Sequence, residues 1–367
     1  MKYDYLIIGA GLYGSVFAYE ATKRNKRCLV VDKRNHIGGN VYTKKTEGIN
    51  VHKYGSHIFH TSNKYIWEYV NNFISFNRYI HTPLVKYKNK TYNLPFNMNT
   101  FNQLWGVKTP EEARLKIVEE TKKYMSISPN NLEQQALKLL GDEIYEKIIK
   151  GYSQKQWGKE CNKLPSFLIK RIPIRFEYDN NYYDDTYQGI PAGGYTQLIE
   201  ALLKNIDVKL NSKFTSSDPY FKSLANKIIY TGMIDEYFQY KLGVLEYRSL
   251  EFEEEKHNIK YYQKSAVINY AEEQIPYTRI IEHKYFEFNN QSHTIITKEY
   301  PRTWHKTLEA YYPINDKKNN ELYEKYKQLG NAEHNVLFAG RLGSYKYYNM
   351  DEIINICLNN IKKEFCE

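Results

Sequence analysis

Gly9, Gly11 and Gly14 stand in a G-x-G-x-x-G spacing directly behind the apolar run Tyr5-Leu6-Ile7-Ile8. Asp32 closes the next such run, Cys28-Leu29-Val30-Val31, 18 positions after the last glycine. Each residue type has a task in binding a dinucleotide. The first glycine makes a tight turn, the second lets backbone approach a pyrophosphate, the third lets helix and strand pack closely, and the acid accepts hydrogen bonds from a ribose. The pyrophosphate then meets a helix N-terminus, where free N–H groups favour an anion. A bare glycine triplet is weak evidence; the strand, helix, strand and acid around it give it meaning.

Two further segments bear on which dinucleotide is bound. After Asp32 come Arg34-Asn35-His36-Ile37-Gly38-Gly39-Asn40, and a late apolar run, Val336 to Ala339, ends on Gly340-Arg341. Both resemble cofactor-contacting segments of FAD enzymes of the amine-oxidase and glutathione-reductase superfamily, and simple NAD dehydrogenases lack the first. FAD is therefore expected rather than NAD. No Ser-His-Asp order, metal-ligand cluster or carboxylate pair demands a catalytic role, and a cofactor that carries the chemistry needs none.

The elements that position these residues follow from periodicity and punctuation. Residues 1–45 read as strand, helix, strand, with the helix from Ser15 to about Asn25. From about Asn99 to Gly158 the pattern is short helices: Thr109-Pro110-Glu111-Glu112 is a capping box with proline in the first turn, Asn131 precedes another helix, and Gly141 and Gly151 are placed as stops. Strands dominate from about Leu164 to Pro313, among them Ala266–Tyr270, Tyr277–Ile281 and Thr294–Thr297. The exception is a helix opened by Gly193-Gly194. Asp351 to Phe365 carries an apolar stripe at Ile353, Ile354, Cys357, Leu358 and Ile361 and reads as a final helix.

Composition narrows the function classes. The 367 residues carry 52 Lys+Arg against 42 Asp+Glu, a net charge of +10, but the charges alternate in sign and no basic tail exists, so nucleic acid is not an expected partner. Four scattered cysteines encode neither a disulfide framework nor a zinc site. No apolar run approaches the ~18 residues of a membrane span, and with no apolar h-region or A-x-A-like site near Met1 a secretory signal is not expected. A cytoplasmic location is expected.

A set of local motifs then points to one family. Tyr54-Gly55-Ser56-His57-Ile58-Phe59-His60, Gly151 to Gly158, Lys170 to Phe176, Pro276 to His283, Tyr311-Tyr312-Pro313 and Gly340-Arg341-Leu342-Gly343, in order and spacing over residues 1 to about 355, resemble the bacterial UDP-galactopyranose mutases. The resemblance implies an α/β fold: an FAD-binding Rossmann-like domain (1–74, 197–240 and 316–367), an inserted small helical domain (96–165) and an antiparallel β-sheet domain for substrate (75–95, 166–196 and 241–315). It also implies interconversion of UDP-galactopyranose and UDP-galactofuranose by covalent catalysis through N5 of reduced FAD, for surface glycans. A homodimer and a cellular flavin reductant belong to the same expectation.

Residue by residue, the resemblance gives Arg171 and Arg279 to the diphosphate, where a guanidinium fork suits a leaving group that must be recaptured. Tyr182, Tyr312 and Tyr347 bind the diphosphate through hydroxyls, and Tyr152 and Trp157 take the uracil and sugar side. His57 lies beside the isoalloxazine, through its imidazole or only through its backbone, and His60 is a weaker candidate of the same kind. The cofactor set is Gly9, Gly11, Tyr13, Gly14, Asp32, Lys33, Gly39, Asn40, His57, Ile58, Phe214, Thr231, Gly232, Gly340, Arg341, Tyr347, Asn349 and Met350. Residues 171–185 correspond to a loop that closes over substrate. One departure stands out: family members usually read Tyr-x-Asp-Met where this chain has Tyr347-Tyr348-Asn349-Met350. Rival expectations are the same chemistry with UDP-N-acetylgalactosamine also accepted, a flavin oxidase of the amine-oxidase type, and a nucleotide-binding protein without catalysis.

Overall fold

The run Tyr3–Ile8 forms the central strand of a five-stranded sheet ordered Val336–Phe338, Ala225–Tyr230, Tyr3–Ile8, Cys28–Val31, Asp207–Lys209, every pair parallel. The computed structural model describes residues 2–366, with backbone alone at Lys170 and Arg171. A parallel sheet covered on both faces needs strands that are apolar throughout. Accordingly, Tyr5, Ile7 and Val30 pack into a core with Val16, Phe17, Leu198 and Ile354 from three helices, Leu12–Lys23, Tyr195–Leu202 and Met350–Glu364. Leu6, Leu29 and Val31 point the other way, into a core with Phe221, Ile234 and Tyr326. The first helix begins at Leu12, three residues earlier than its apolar spacing suggested, because Gly11 is already its N-cap.

A second sheet of seven strands runs Tyr312–Pro313, Tyr247–His257, Thr294–Thr303, Arg279–Glu282, Val267–Tyr270, Leu84–Tyr87, Lys90–Asn93. It is antiparallel except where Val267–Tyr270 pairs with Leu84–Tyr87. Register places Arg279 directly opposite Glu299.

Between residues 98 and 157 the chain is helical, and its starts follow their caps. The Thr109 hydroxyl accepts from the Glu112 N–H at 3.2 Å, the Glu112 carboxylate accepts from the Thr109 N–H at 3.3 Å, and Asn131 accepts from the Gln134 N–H at 2.9 Å. Gly141 breaks helical geometry with φ 78°, yet the chain re-enters a helix and continues as a π-helix over Tyr145–Lys150. Gly151 is a correction: it sits inside the helical run with φ −65°, and the stop is Gly158, with φ 65°. A Cβ at Gly151 would lie 2.1 Å from the Ala271 carbonyl oxygen, so this glycine serves close approach to the second sheet. Among the described residues no helix is long and apolar enough to cross a membrane.

Candidate functional site

The glycine turn is built so tightly that side chains are excluded. A Cβ on Gly14 would lie 2.0 Å from the Gly9 carbonyl oxygen, and one on Gly9, where φ is 109°, would lie 2.2 Å from Thr231 Oγ1. Gly11 differs: its nearest neighbour would be Gly39 Cα at 3.8 Å, so space there is left to a ligand. The Asp32 carboxylate accepts the Ala10 N–H at 2.8 Å and the Arg34 N–H at 2.9 Å, which anchors the turn and leaves lone pairs for a ribose. No side chain caps the helix that starts at Leu12, so its free N–H groups face the cavity. This cradle fits the adenosine diphosphate half of a dinucleotide.

The turn opens into a cavity of about 440 Å³. Its walls include Gly9, Gly11, Tyr13, Gly14, Asp32, Lys33, Gly39, Asn40, His57, Phe214, Thr231, Gly232, Gly340, Arg341, Asn349 and Met350. These sixteen positions come from six separated stretches of chain. Ile58 and Tyr347, expected beside them, line a second cavity instead. Lys306 to Tyr311 of the sheet domain complete the first cavity, and Glu309 pairs with Lys33 at 2.8 Å and Arg34 at 3.4 Å.

The second cavity, about 650 Å³, shares Asn40, His57, Tyr311, Arg341 and Asn349 with the first. Arg279, Tyr152, Trp157, Tyr182, Tyr312 and Tyr347 line it, as does His60. Arg279 Nη2 donates to the Tyr152 hydroxyl at 3.2 Å, and its Nε lies 3.1 Å from Glu299 Oε1. Neither Nε nor Oε1 completes a hydrogen bond, so a charged pair in the cavity wall keeps unused capacity. Burial drives the Glu299 carboxyl above its usual pKa despite Arg279, whereas the Arg279 guanidinium, which burial alone would weaken as a base, is held protonated by Glu299. Trp157 meets Tyr312 edge-on at 5.5 Å, Tyr312 meets Tyr347 at 6.0 Å, and the Arg341 guanidinium lies 4.7 Å from the Tyr347 ring centre. The Arg171 side chain lies outside the described part of the structure. The rest of its loop is tied down: Tyr183 stacks on His60 at 3.7 Å, and Asp185 receives His60 Nδ1 at 2.6 Å and the Ser62 hydroxyl at 2.8 Å.

His57 stands where the cavities meet, and neighbours settle its proton. Nδ1 lies 2.9 Å from the Gly55 carbonyl oxygen, which can only accept, so Nδ1 carries hydrogen and Nε2 is a bare acceptor. The His57 N–H donates to His52 Nδ1 at 3.3 Å, the His52 N–H donates to His283 Nδ1 at 3.2 Å, and His283 Nε2 donates to Thr297 Oγ1 at 2.7 Å. Burial keeps this file neutral: the pKa is lowered to about 4 at His57, to about 3 at His283 and well below the ordinary value at His52, and His81 on the cavity wall falls to about 3. Below about pH 6.5 the unfolded chain therefore takes up protons that the folded chain refuses, so the stability these groups contribute is present above that pH and lost as it falls towards 4. Each histidine costs up to ~1.4 kcal/mol per pH unit in that window. Urea unfolding at pH 7.0 and 5.5 should show a loss of several kcal/mol; equal free energies would contradict the buried, neutral assignment.

Glu299, Glu309, His52 and His283 were not singled out in the sequence. Only strand register carried a signal, since Arg279 and Glu299 are cross-strand partners.

Comparison with known proteins gives concordant results. A family model described as UDP-galactopyranose mutase matches residues 147–347, and one described as an NAD(P)-binding Rossmann-like domain matches residues 7–73. A dTDP-fucopyranose mutase of Escherichia coli is 38% identical over 358 residues, 95% of each chain. A probable UDP-galactopyranose mutase of Klebsiella pneumoniae is 38% identical over 355 residues, 95% of this chain and 91% of that one. A UDP-galactopyranose mutase of Mycoplasma pneumoniae is 31% identical, covering 96% and 94%. Among solved structures, a reduced UDP-galactopyranose mutase superposes with a TM-score of 0.78 over 100% of this chain and 94% of that one, at 16% identity. A putrescine oxidase variant superposes at 0.59 with 10% identity over the whole of both chains. At such identities these likenesses speak for fold: a Rossmann-like layer beside a mostly antiparallel sheet.

Proposed function

Because this chain belongs to the UDP-galactopyranose mutase family, we propose that it interconverts UDP-galactopyranose and UDP-galactofuranose, with FAD in the first cavity and the sugar nucleotide in the second. The observation that carries this reading is the shared wall at His57, Arg341 and Asn349. It lets a sugar reach one cavity while its diphosphate stays beside Arg279 in the other. Bound and reduced, FAD supplies a nucleophilic N5 for covalent catalysis with no net redox change.

The chain's own residues hold and orient. Arg279 keeps a permanent charge and free donor capacity for the diphosphate, retaining the departing UDP for recapture. Tyr182, Tyr312 and Tyr347 offer hydroxyls to the same group, joined by Arg171 by family resemblance, while Tyr152 and Trp157 supply flat surfaces for uracil. His57 Nε2 can accept from a sugar hydroxyl, and its low pKa keeps a second positive charge away from the cofactor side. Asn349 gives this end an amide where relatives usually have an acid. Supply of galactofuranose for surface glycans, a cytoplasmic homodimer and a cellular flavin reductant complete the proposal.

The substrates named for the two relatives of equal identity differ at the base, the ribose 2′-hydroxyl and the sugar 6-position, so these are the points where substrate choice is made. Dithionite-reduced holoprotein given UDP-galactose should yield a second, furanose-bearing UDP-sugar on anion-exchange chromatography. A single unchanged peak after prolonged incubation would sink the reading.

A further inference from the structure

Resting on that proposed reading, the second cavity says more about the nucleotide. Its near end, at His57, Arg341 and Asn349, adjoins the dinucleotide cavity, so the reacting sugar belongs there and the base must extend towards the opposite end. Leu94, Leu132, Ile148, Ile149, Leu168 and Ile169, five of them on helical elements, also line the cavity. The first four and Ile169 are nearly solvent-free in the fold, between 2% and 6% exposed. Ile148 and Ile149 are delivered by the π-helix Tyr145–Lys150, one helical turn ahead of Tyr152. Such widened turns occur often at functional sites, where they re-aim side chains. Tyr152, Ser153 and Gln156 of the helix that follows line the cavity as well, whereas Arg279, Tyr312 and Tyr347 lie on other elements: a strand of the second sheet, its edge, and the approach to the last helix.

A ring seated there meets branched aliphatic carbon around its edge. Uracil presents only C5–H and C6–H to such a wall, whereas thymine adds a methyl group that aliphatic side chains remove from water. We propose that the base end of this site is a 5-methylpyrimidine pocket, and that thymidine diphosphate sugars bind and react here at least as well as uridine diphosphate sugars. One buried methyl is worth about a threefold to fourfold gain in affinity.

The test uses reduced holoprotein and competition by four nucleotides: UDP, ribothymidine 5′-diphosphate, dUDP and dTDP. Two of the pairs differ only in the methyl and two only in the 2′-hydroxyl. Both methyl-bearing members should bind at least twofold tighter than their partners, and dTDP-galactose should turn over with a kcat/KM no lower than that of UDP-galactose. Ile149→Phe, which fills the pocket, should remove the methyl preference. Equal or weaker binding of the methylated nucleotides to the wild type overturns the proposal, and that result stands whether or not the variant folds. If UDP-galactose turns over and dTDP-galactose does not, the claim that thymidine diphosphate sugars react here fails while the mutase reading stands. If neither reacts and no nucleotide binds, the sugar-nucleotide reading falls with it.

Discussion

Replacing Arg279 with methionine should lower kcat/KM for UDP-galactose by about 10³-fold or more and destabilise the fold by about 3 kcal/mol. The two losses have separate causes. The first is removal of a fixed cation from the diphosphate, whose charge grows as the sugar departs. The second arises because Glu299, 2% exposed, loses the partner that balances it. Breaking a buried pair from one side typically costs ~3–5 kcal/mol, most of it the stranded charge. The already raised Glu299 pKa sets the result towards the lower end, since protonation offers a way out. Adding Glu299→Gln should therefore recover most of the stability and none of the activity. Arg279→Lys should keep the ion pair and the melting temperature but lose roughly 10²-fold in kcat/KM, because an ammonium cannot reproduce the fork. Denaturation and steady-state kinetics on the three variants check this. Activity returning in Arg279→Met with Glu299→Gln would remove Arg279 from the site.

The second large effect lies in the glycine turn, where two neighbouring glycines should fail in different ways. Gly14→Ala places a carbon 2.0 Å from the Gly9 carbonyl oxygen and 3.1 Å from Ile7 Cγ2, both part of the strand and turn beneath the helix. Helix and sheet must separate to admit it, at a cost of ~3 kcal/mol in stability together with loss of the flavin. Gly11→Ala meets nothing of the protein closer than 3.8 Å. Its methyl instead enters the cavity where backbone and pyrophosphate must touch, so this variant should fold with nearly wild-type stability and purify colourless, its FAD affinity reduced by about 10²-fold or more. Flavin absorbance after gel filtration, beside a thermal melt, separates the cases. A yellow Gly11→Ala protein would move the cofactor elsewhere.

How much of this was legible beforehand depended on how local each constraint was. The strand, glycine turn, helix and Asp32 occupy 32 consecutive residues, and their mutual geometry is set by backbone sterics that a one-dimensional pattern records. Caps such as Thr109 with Glu112 and Asn131 with Gln134 are local for the same reason. Gly151 misled because a glycine that ends a helix and one that lets a sheet approach look alike until the sheet is in place. Glu309 reaches Lys33 and Arg34 across some 275 positions, and the His57, His52, His283 file joins residues more than 200 apart. Such partners are created by topology, and no spacing in the chain encodes them. The Arg279–Glu299 pair is intermediate: 20 residues apart on adjacent strands, it follows once register is known.

The central claim, isomerisation on a reduced flavin without net electron transfer, is tested most directly by counting. Holoprotein is reduced once with a stoichiometric amount of dithionite under strict anaerobiosis, the excess removed, and UDP-galactose added while flavin absorbance and furanose product are followed together. The expected result is many product molecules per flavin with the flavin still reduced at the end, and none from the oxidised protein. Product limited to one per flavin, flavin reoxidised in step with turnover, or equal activity from the oxidised protein would contradict it.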